Sequence, residues 1–559
     1  MTKQKVKGYN LIFKVIQKII FLILLLLILV YLPTTLWHFP DGIGYYSYLP
    51  AVFKFKNYDF YNIFRNYTSG IIGITKSGFL INDFDIGCSV VWFFVYHISM
   101  LFEKETISIL FVNFFSSVLG LSGLIILFKF LVEKLNFDKT NSFFICLNLL
   151  LGTPLLFYIY SIPQNPHITS YFLCSLYFYF LLSQDEFKLR RYLFSGILLG
   201  IISSLRLQRI ILIILPMTEI FSILIKTKDF KKFVYSIFMF ILGISIGFSP
   251  QIINSKILFS SFIPPKFYTI KLTKYFFSSI YEILFGSYHS VLLWTPLMIV
   301  SVVGLLIGIK YNFFLSLNFI LIFILETFVI ATVISPGGGA SFGIRYYTDI
   351  SFVFGLGLYF LFRFSQQNRK ILFFVKMIIL LCSLWSLILF LLSTSGKIDL
   401  IEVYSVKDFF SNIIFGLKNF RLSLRPRYYT EGEIYIFLFL ILVLTVFINY
   451  KLCKILSNTK DNTIWFMIII LSLYLLYFDM KLINSGIFNR VVYKKEVFEQ
   501  SLNEEDYKNF YNLAGIKVRL KYYSLTRQEE KYNFFLRLKE KYLPKSYLGK
   551  KFVEIYIER

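Results

Sequence analysis

Cysteine and histidine are scarce in this chain, with five and four among 559 residues. Cys88, Cys146, Cys174, Cys382 and Cys453 are scattered and lie mostly inside apolar runs, which excludes a disulfide framework and a thiolate metal site. Charge is thin as well. Charged residues make up 16% of the chain against 57% hydrophobic and 20% aromatic, and the mean hydropathy is +0.67. A soluble domain of any size could not expose such a surface without aggregating. Acidic residues are few, 32 against 58 Lys and Arg, for a formal net charge of +26. The excess collects in short loops and in the tail, where the positive-inside rule puts it, so the charge gives no reason to expect nucleic-acid binding. Two further absences count. Internal repeats are lacking, and no small-residue cleavage site follows the first apolar stretch, so residues 19–36 are expected to be retained as an anchor.

What the chain has in abundance is long continuous apolar runs. A bilayer core of about 30 Å requires roughly 20 apolar residues per helix. The runs do not alternate in the manner of barrel strands, so the expected fold is an all-α polytopic membrane protein with about thirteen transmembrane helices. Lys3, Lys5, Lys7, Lys14 and Lys18 keep the head inside, and the basic loops at 133–139, 185–191, 226–232, 310, 363–370 and 451–460 should be inside as well. Two apolar stretches, 86–102 and 108–132, lie between the first outer segment and the first of those loops, and only one can cross. The second is longer and more apolar, so 86–102 is expected to lie in the outer leaflet as an interfacial helix. The remaining spans are expected near 142–160, 168–184, 191–206, 209–225, 233–250, 290–309, 313–334, 346–364, 371–393, 433–450 and 463–480. Four segments then meet on the outer face, 37–84, 161–167, 251–289 and 335–346, and the rare polar residues concentrate there. The spans 191–206 and 209–225 join with almost no loop, at a turn expected below the membrane surface beside an outward-facing cavity.

The first outer segment reads Trp37-His38-Phe39-Pro40-Asp41-Gly42-Ile43-Gly44-Tyr45-Tyr46. Asp-Gly is a common turn, but a carboxylate here could also draw the proton from a hydroxyl nucleophile. Asn82-Asp83-Phe84-Asp85 follows where the segment returns to the membrane; its two acids could cap a helix, or hold a hydroxyl or a divalent cation. Ser161-Ile162-Pro163-Gln164-Asn165-Pro166-His167 carries one of the rare histidines, either a donor to substrate or a cap for the next span. Arg206, Arg209 and Arg345 sit at the outer edge, where few basic residues are expected; phosphate pairing and snorkelling to lipid headgroups both explain such placement. Arg345 ends the glycine-rich run Gly337-Gly338-Gly339-Ala340-Ser341-Phe342-Gly343-Ile344, which lacks the Gly-Lys-Ser or Gly-Lys-Thr of a nucleotide loop.

An acid just beyond the first span, the polar return cluster, the serine, proline and histidine stretch, and Gly-Gly-x-Ser-Phe-Gly-x-Arg together resemble the GT-C superfamily of membrane glycosyltransferases, over roughly residues 10–365. The family includes protein O-mannosyltransferases and the lipid A aminoarabinose transferase. The resemblance implies a GT-C-like bundle in a module of residues 1–394 with an outer loop at 37–105, followed by an outer loop and last spans at 395–482 and a small basic extramembrane tail at 483–559. It implies transfer of a sugar from a polyprenyl-phosphate donor to a lipid, glycan or protein acceptor, on the outer face of a bacterial cytoplasmic membrane, with inversion. Asp41 would be the base, Asp83 or Asp85 and His167 would assist, and Arg206, Arg209 and Arg345 would receive the donor phosphate; a divalent cation is left open. Two rivals are a surface-polysaccharide polymerase or ligase, using an outer loop at 396–433 with Arg421, Arg425 and Arg427, and a non-enzymatic flippase for lipid-linked oligosaccharides.

Overall fold

The computed structural model describes residues 40–67, 75, 77–183, 189–262, 276–332, 341–400, 404–419 and 461–488. The expected anchor at 19–36, the span at 433–450, Arg421, Arg425 and Arg427, the glycines at 337–339 and the tail after 488 lie outside the described residues. Regular structure among the described residues is helical, with no β-strand. Six stretches there are long and apolar enough to cross a membrane: Glu105–Lys134, Leu207–Thr227, Phe230–Phe259, Phe313–Thr332, Arg345–Ser365 and Arg369–Thr394.

The helices used below are α1 (Pro40–Tyr46), α2 (Gly87–Ser99), α3 (Glu105–Lys129), α4 (Lys139–Gly152), α5 (Leu155–Tyr160), α6 (Pro166–Ser183), α7 (Leu189–Leu205), α8 (Ile214–Thr227), α9 (Phe230–Phe259), α10 (Leu297–Gly308), α11 (Phe313–Thr332), α12 (Ser351–Ser365), α13 (Arg369–Thr394) and α14 (Asp461–Ile483). With 13 residues, α2 reaches about 20 Å at 1.5 Å per residue, too short to cross a bilayer. The stretch expected as one span at 142–160 is broken between α4 and α5, where Thr153 is extended and Pro154 has no N–H with which to continue a helix. A break at Thr295-Pro296 likewise separates a short helix, Val291–Trp294, from α10. Nearly every residue of α6 and α7 is buried by protein rather than left for lipid, which explains how two helices with so many Ser, Tyr and Arg residues sit at the centre of the bundle.

Glycine sets the closest helix approach. Gly196 and Gly200 on α7 face Gly243 and Gly247 on α9; a Cβ on Gly200 would lie 2.5 Å from the Ile244 carbonyl oxygen, and one on Gly243 would lie 2.2 Å from that of Leu193. Where lipid competes equally well for apolar side chains, such backbone contact is a main source of helix association. Pro250 interrupts α9 one turn later, leaving the Ile246 carbonyl without its helical donor, and Ser249 Oγ lies 3.0 Å from that oxygen. Beyond the interruption, Gln251 and Asn254 point inward and anchor the outer segment: Gln251 Oε1 accepts from the Ile86 N–H at 2.9 Å, and Asn254 Nδ2 donates to Tyr48 Oη at 3.2 Å. The α7–α9 contact thus fixes both the end of α7, which carries Arg206, and the return strand of chain that carries Asp85.

Candidate functional site

Five stretches far apart in sequence converge at one end of the bundle. The first is α1, which starts on Pro40 and carries Asp41 in its first turn, where the helix dipole favours a carboxylate. Its glycines admit neighbours no side chain would: a Cβ on Gly42 would lie 2.5 Å from Gln164 Oε1, and one on Gly44 would lie 1.9 Å from the Phe84 ring. The 161–167 turn and the 82–86 return are therefore both pressed against α1. Asn82 is the local pin, donating from Nδ2 to the Gly44 carbonyl and to Ser47 Oγ, each at 3.0 Å, while Tyr48 Oη donates to the Phe84 carbonyl at 2.7 Å.

The return brings Asp83 and Asp85 into the same wall, both buried. Among the described residues no group of three or more His, Cys, Asp or Glu side chains could hold a metal ion, so Asp83 and Asp85 gather no further ligand of that kind there. The start of α2 lies on the end of α7, since a Cβ on Gly87 would be 2.3 Å from the Ser204 carbonyl carbon. That approach brings Asp85 within electrostatic reach of Arg206. Burial drives the Asp85 carboxyl up to about 8, with the Arg206 charge opposing the rise.

Arg206 is the hinge between α7 and the 3-10 turn Leu207–Ile213, with an extended backbone at φ −158° and ψ 109°. The short turn expected from sequence is there, with Arg209 and Leu212 buried and its other residues partly exposed. The Arg206 guanidinium lies 4.7 Å from the Tyr346 ring centre, Nη1 is 2.8 Å from each ring nitrogen of His167, and Nη2 donates to Gln208 Oε1 at 3.3 Å. His167, the second residue of α6, meets Asp349 Oδ1 through Nδ1 at 2.6 Å, with both side chains buried.

Arg345 opens the 3-10 turn Arg345–Ile350, which runs into α12. Gly343 just before it has φ +60°, a left-handed conformation that glycine adopts at no steric cost, with Thr295 Cγ2 only 3.2 Å from where a Cβ would sit. Arg345 Nη1 is 2.8 Å from Asp41 Oδ2, and its guanidinium lies 5.5 Å from the same Tyr346 ring that Arg206 covers. Asp41 and Arg345 retain side-chain exposures of 34% and 21%, so this pair faces the open side of the cluster.

Arg209 is the exception among the expected residues. Its side chain is 0% exposed, with Nη2 2.6 Å from Glu326 Oε1 and 2.9 Å from the Tyr346 carbonyl, and Nε 3.0 Å from Asp349 Oδ2. Two buried carboxylates already occupy it, which corrects the expectation that Arg209 meets a donor phosphate directly: it is a brace behind the site, tying the 345–350 turn to α11. Asp41, Asp85, His167, Arg206 and Arg345 do come together. Sequence reasoning missed Glu326, Asp349, Gln208 and Tyr346. A signal existed for the two acids, since lone carboxylates in the apolar runs 313–332 and 346–364 call for a buried partner.

Comparison with family models, curated proteins and solved structures finds no match to this chain.

The Asp85 environment makes a pH dependence testable. Below about 8 the carboxyl is protonated and uncharged; above it a negative charge appears beside Arg206. Anion binding at Arg206 should therefore weaken as pH rises through 8, by no more than about tenfold per unit for a single coupled proton. Titration of a polyprenyl monophosphate into the purified chain between pH 6.5 and 9.5 checks this. Asp85→Asn should flatten the profile, and a variant whose profile matches wild type would remove Asp85 from the account.

Proposed function

We propose that this chain is a membrane glycosyltransferase that moves a sugar from a polyprenyl-phosphate donor to an acceptor hydroxyl. The proposal includes a GT-C-like bundle of about thirteen spans, set in a bacterial cytoplasmic membrane with this site facing outward. The observation that carries it is the convergence on Tyr346: Arg206 and Arg345 both lie against its ring, and Arg345 Nη1 is 2.8 Å from Asp41 Oδ2. A carboxylate able to accept a proton is thereby paired with one guanidinium group, and a second guanidinium lies against the same tyrosine ring.

In this reading the donor phosphate enters between Arg206 and Arg345 and draws Arg345 off Asp41, because a bidentate Arg–phosphate contact replaces the partly exposed Arg–carboxylate pair. Asp41 is then free to act as base. The acceptor O–H gives its proton to an Asp41 oxygen as its own oxygen forms a bond to the anomeric carbon. The bond from that carbon to the phosphate oxygen breaks on the opposite face, which inverts the centre. The electron pair leaves with polyprenyl phosphate, and the two guanidinium groups stabilise the charge that develops there. The acceptor is a lipid, a glycan or a protein presented from the outer side.

The test is made in cells lacking the protein. A polyprenyl-phosphate sugar should accumulate and one envelope glycan should lose a single sugar, both restored by the wild-type chain. Lipid-linked sugars and surface glycans that match wild type in every species would refute the transferase reading. Failure of lipid-linked oligosaccharide to cross the membrane, with all sugar bonds still made, is what a flippase would give.

A further inference from the structure

Arg206 differs from Arg209 and Arg345 in forming no direct ion pair, although the Asp85 and Asp349 carboxyls act on it through space. Arg209 lies between Glu326 and Asp349, and Arg345 faces Asp41. Among the described residues Arg206 forms no ion pair; its contacts are the Gln208 amide oxygen, the Tyr346 ring and the imidazole of His167. The imidazole contact has an informative geometry. Nη1 is 2.8 Å from Nδ1 and 2.8 Å from Nε2. An atom equidistant from both nitrogens in the ring plane would collide with the carbon between them, so the guanidinium lies over the ring face. In the plane, Nδ1 is engaged by Asp349 Oδ1 at 2.6 Å, which fixes the ring's rotation. Arg206 thus touches two rings that meet edge to face at 83°, Tyr346 and His167, and burial lowers the His167 pKa to about 3, which leaves its ring uncharged.

We propose that His167 and Asp349 are a positioning pair that holds Arg206 in place without a direct ion pair, so that its charge is available to an incoming phosphate. This rests on the reading of the site as one for a polyprenyl phosphate. A carboxylate in place of the imidazole would hold the arginine at least as firmly, but it would cancel the charge that an incoming phosphate needs. The flat ring supplies the first effect alone. Asp349 locks that ring through Oδ1 while its other oxygen lies 3.0 Å from Arg209, so it acts on Arg206 through space without forming an ion pair with it. The arrangement leaves Arg206, alone of the three arginines, without a carboxylate in ion-pair contact among the described residues.

The test compares His167→Gln with His167→Glu, side chains of nearly equal shape that differ in charge. The full chain in detergent is titrated with a short polyprenyl monophosphate, and with the matching polyprenol as a control for the tail. His167→Gln should bind the phosphate within about tenfold of wild type, His167→Glu at least ~30-fold more weakly than His167→Gln, and the polyprenol should bind all three alike. Equal phosphate affinity in the two variants would overturn the proposal, as would a wild-type chain that fails to prefer the phosphate over the polyprenol. Should His167→Glu not accumulate as folded protein, His167→Asp against His167→Asn carries the same test: weaker phosphate binding by the acid is expected, and equal affinity overturns the proposal. The two readings fail separately. Binding that follows this pattern in a chain that transfers no sugar would end the transferase assignment and leave the positioning pair standing, whereas transfer by His167→Glu at the wild-type donor KM would do the reverse.

Discussion

Asp41→Asn is expected to lower sugar transfer by ~10²–10⁴-fold, the range that removal of a positioned general base commonly produces, with no loss of protein from the membrane. The second half of that statement follows from exposure. Asp41 is paired with Arg345 at 2.8 Å, but their side chains are 34% and 21% exposed, and ion pairs open to solvent contribute about 0–1 kcal/mol. An amide at position 41 still accepts a hydrogen bond from Arg345 and still fits the first turn of α1. What it cannot do is take a proton from a hydroxyl. Transfer measured in membranes with a labelled polyprenyl-phosphate sugar, alongside quantitation of the protein, separates the two effects. Transfer by Asp41→Asn at more than about a tenth of the wild-type rate would remove Asp41 as the base.

Arg209→Met should act in the opposite way, on the fold and not selectively on the chemistry. Arg209 is the buried cation between Glu326 at 2.6 Å and Asp349 at 3.0 Å, all three side chains 0% exposed. Methionine fills a similar volume but strands two carboxylates in the bundle interior, and breaking a buried pair in this way typically costs about 3–5 kcal/mol. Much of a membrane bundle's stability would be lost, so the variant should fail to accumulate or should melt far below wild type in detergent. Glu326→Gln is the informative partner. It leaves Arg209 balanced by Asp349 and keeps an acceptor for Arg209 and Gln208, so its expected effect is markedly smaller. Equal melting temperatures for Arg209→Met and wild type would show that the brace is not structural.

The helical architecture was legible because the solvent imposes it: runs without alternation leave the chain no other way to satisfy its backbone in lipid. The places where single expected spans divide were less legible. Thr153-Pro154 and Thr295-Pro296 each carry the break in a residue with no N–H, yet Pro250 inside α9 does not end its helix. Proline alone does not say which will happen. For the site, the sequence identified side chains whose location was costly: an acid after an apolar run, and arginines where the positive-inside rule expects few. Asp41, Arg206 and Arg345 were singled out in this way, and His167 as one of four histidines, in the turn at 161–167. It could not distinguish Arg206 from Arg209, three residues apart, because burial and partners decide between receptor and brace, and those come from α11 and the 345–350 turn. Tyr346 was invisible among 40 tyrosines; only its position beneath two guanidinium groups singles it out.

The most direct measurement of the central claim is an experimental structure of the chain with a polyprenyl monophosphate bound. The account predicts the phosphate in bidentate contact with Arg206 and Arg345, Arg345 withdrawn from Asp41, and an Asp41 oxygen facing the space beside the phosphate. A phosphate bound elsewhere, with the Asp41–Arg345 pair still closed, would contradict it.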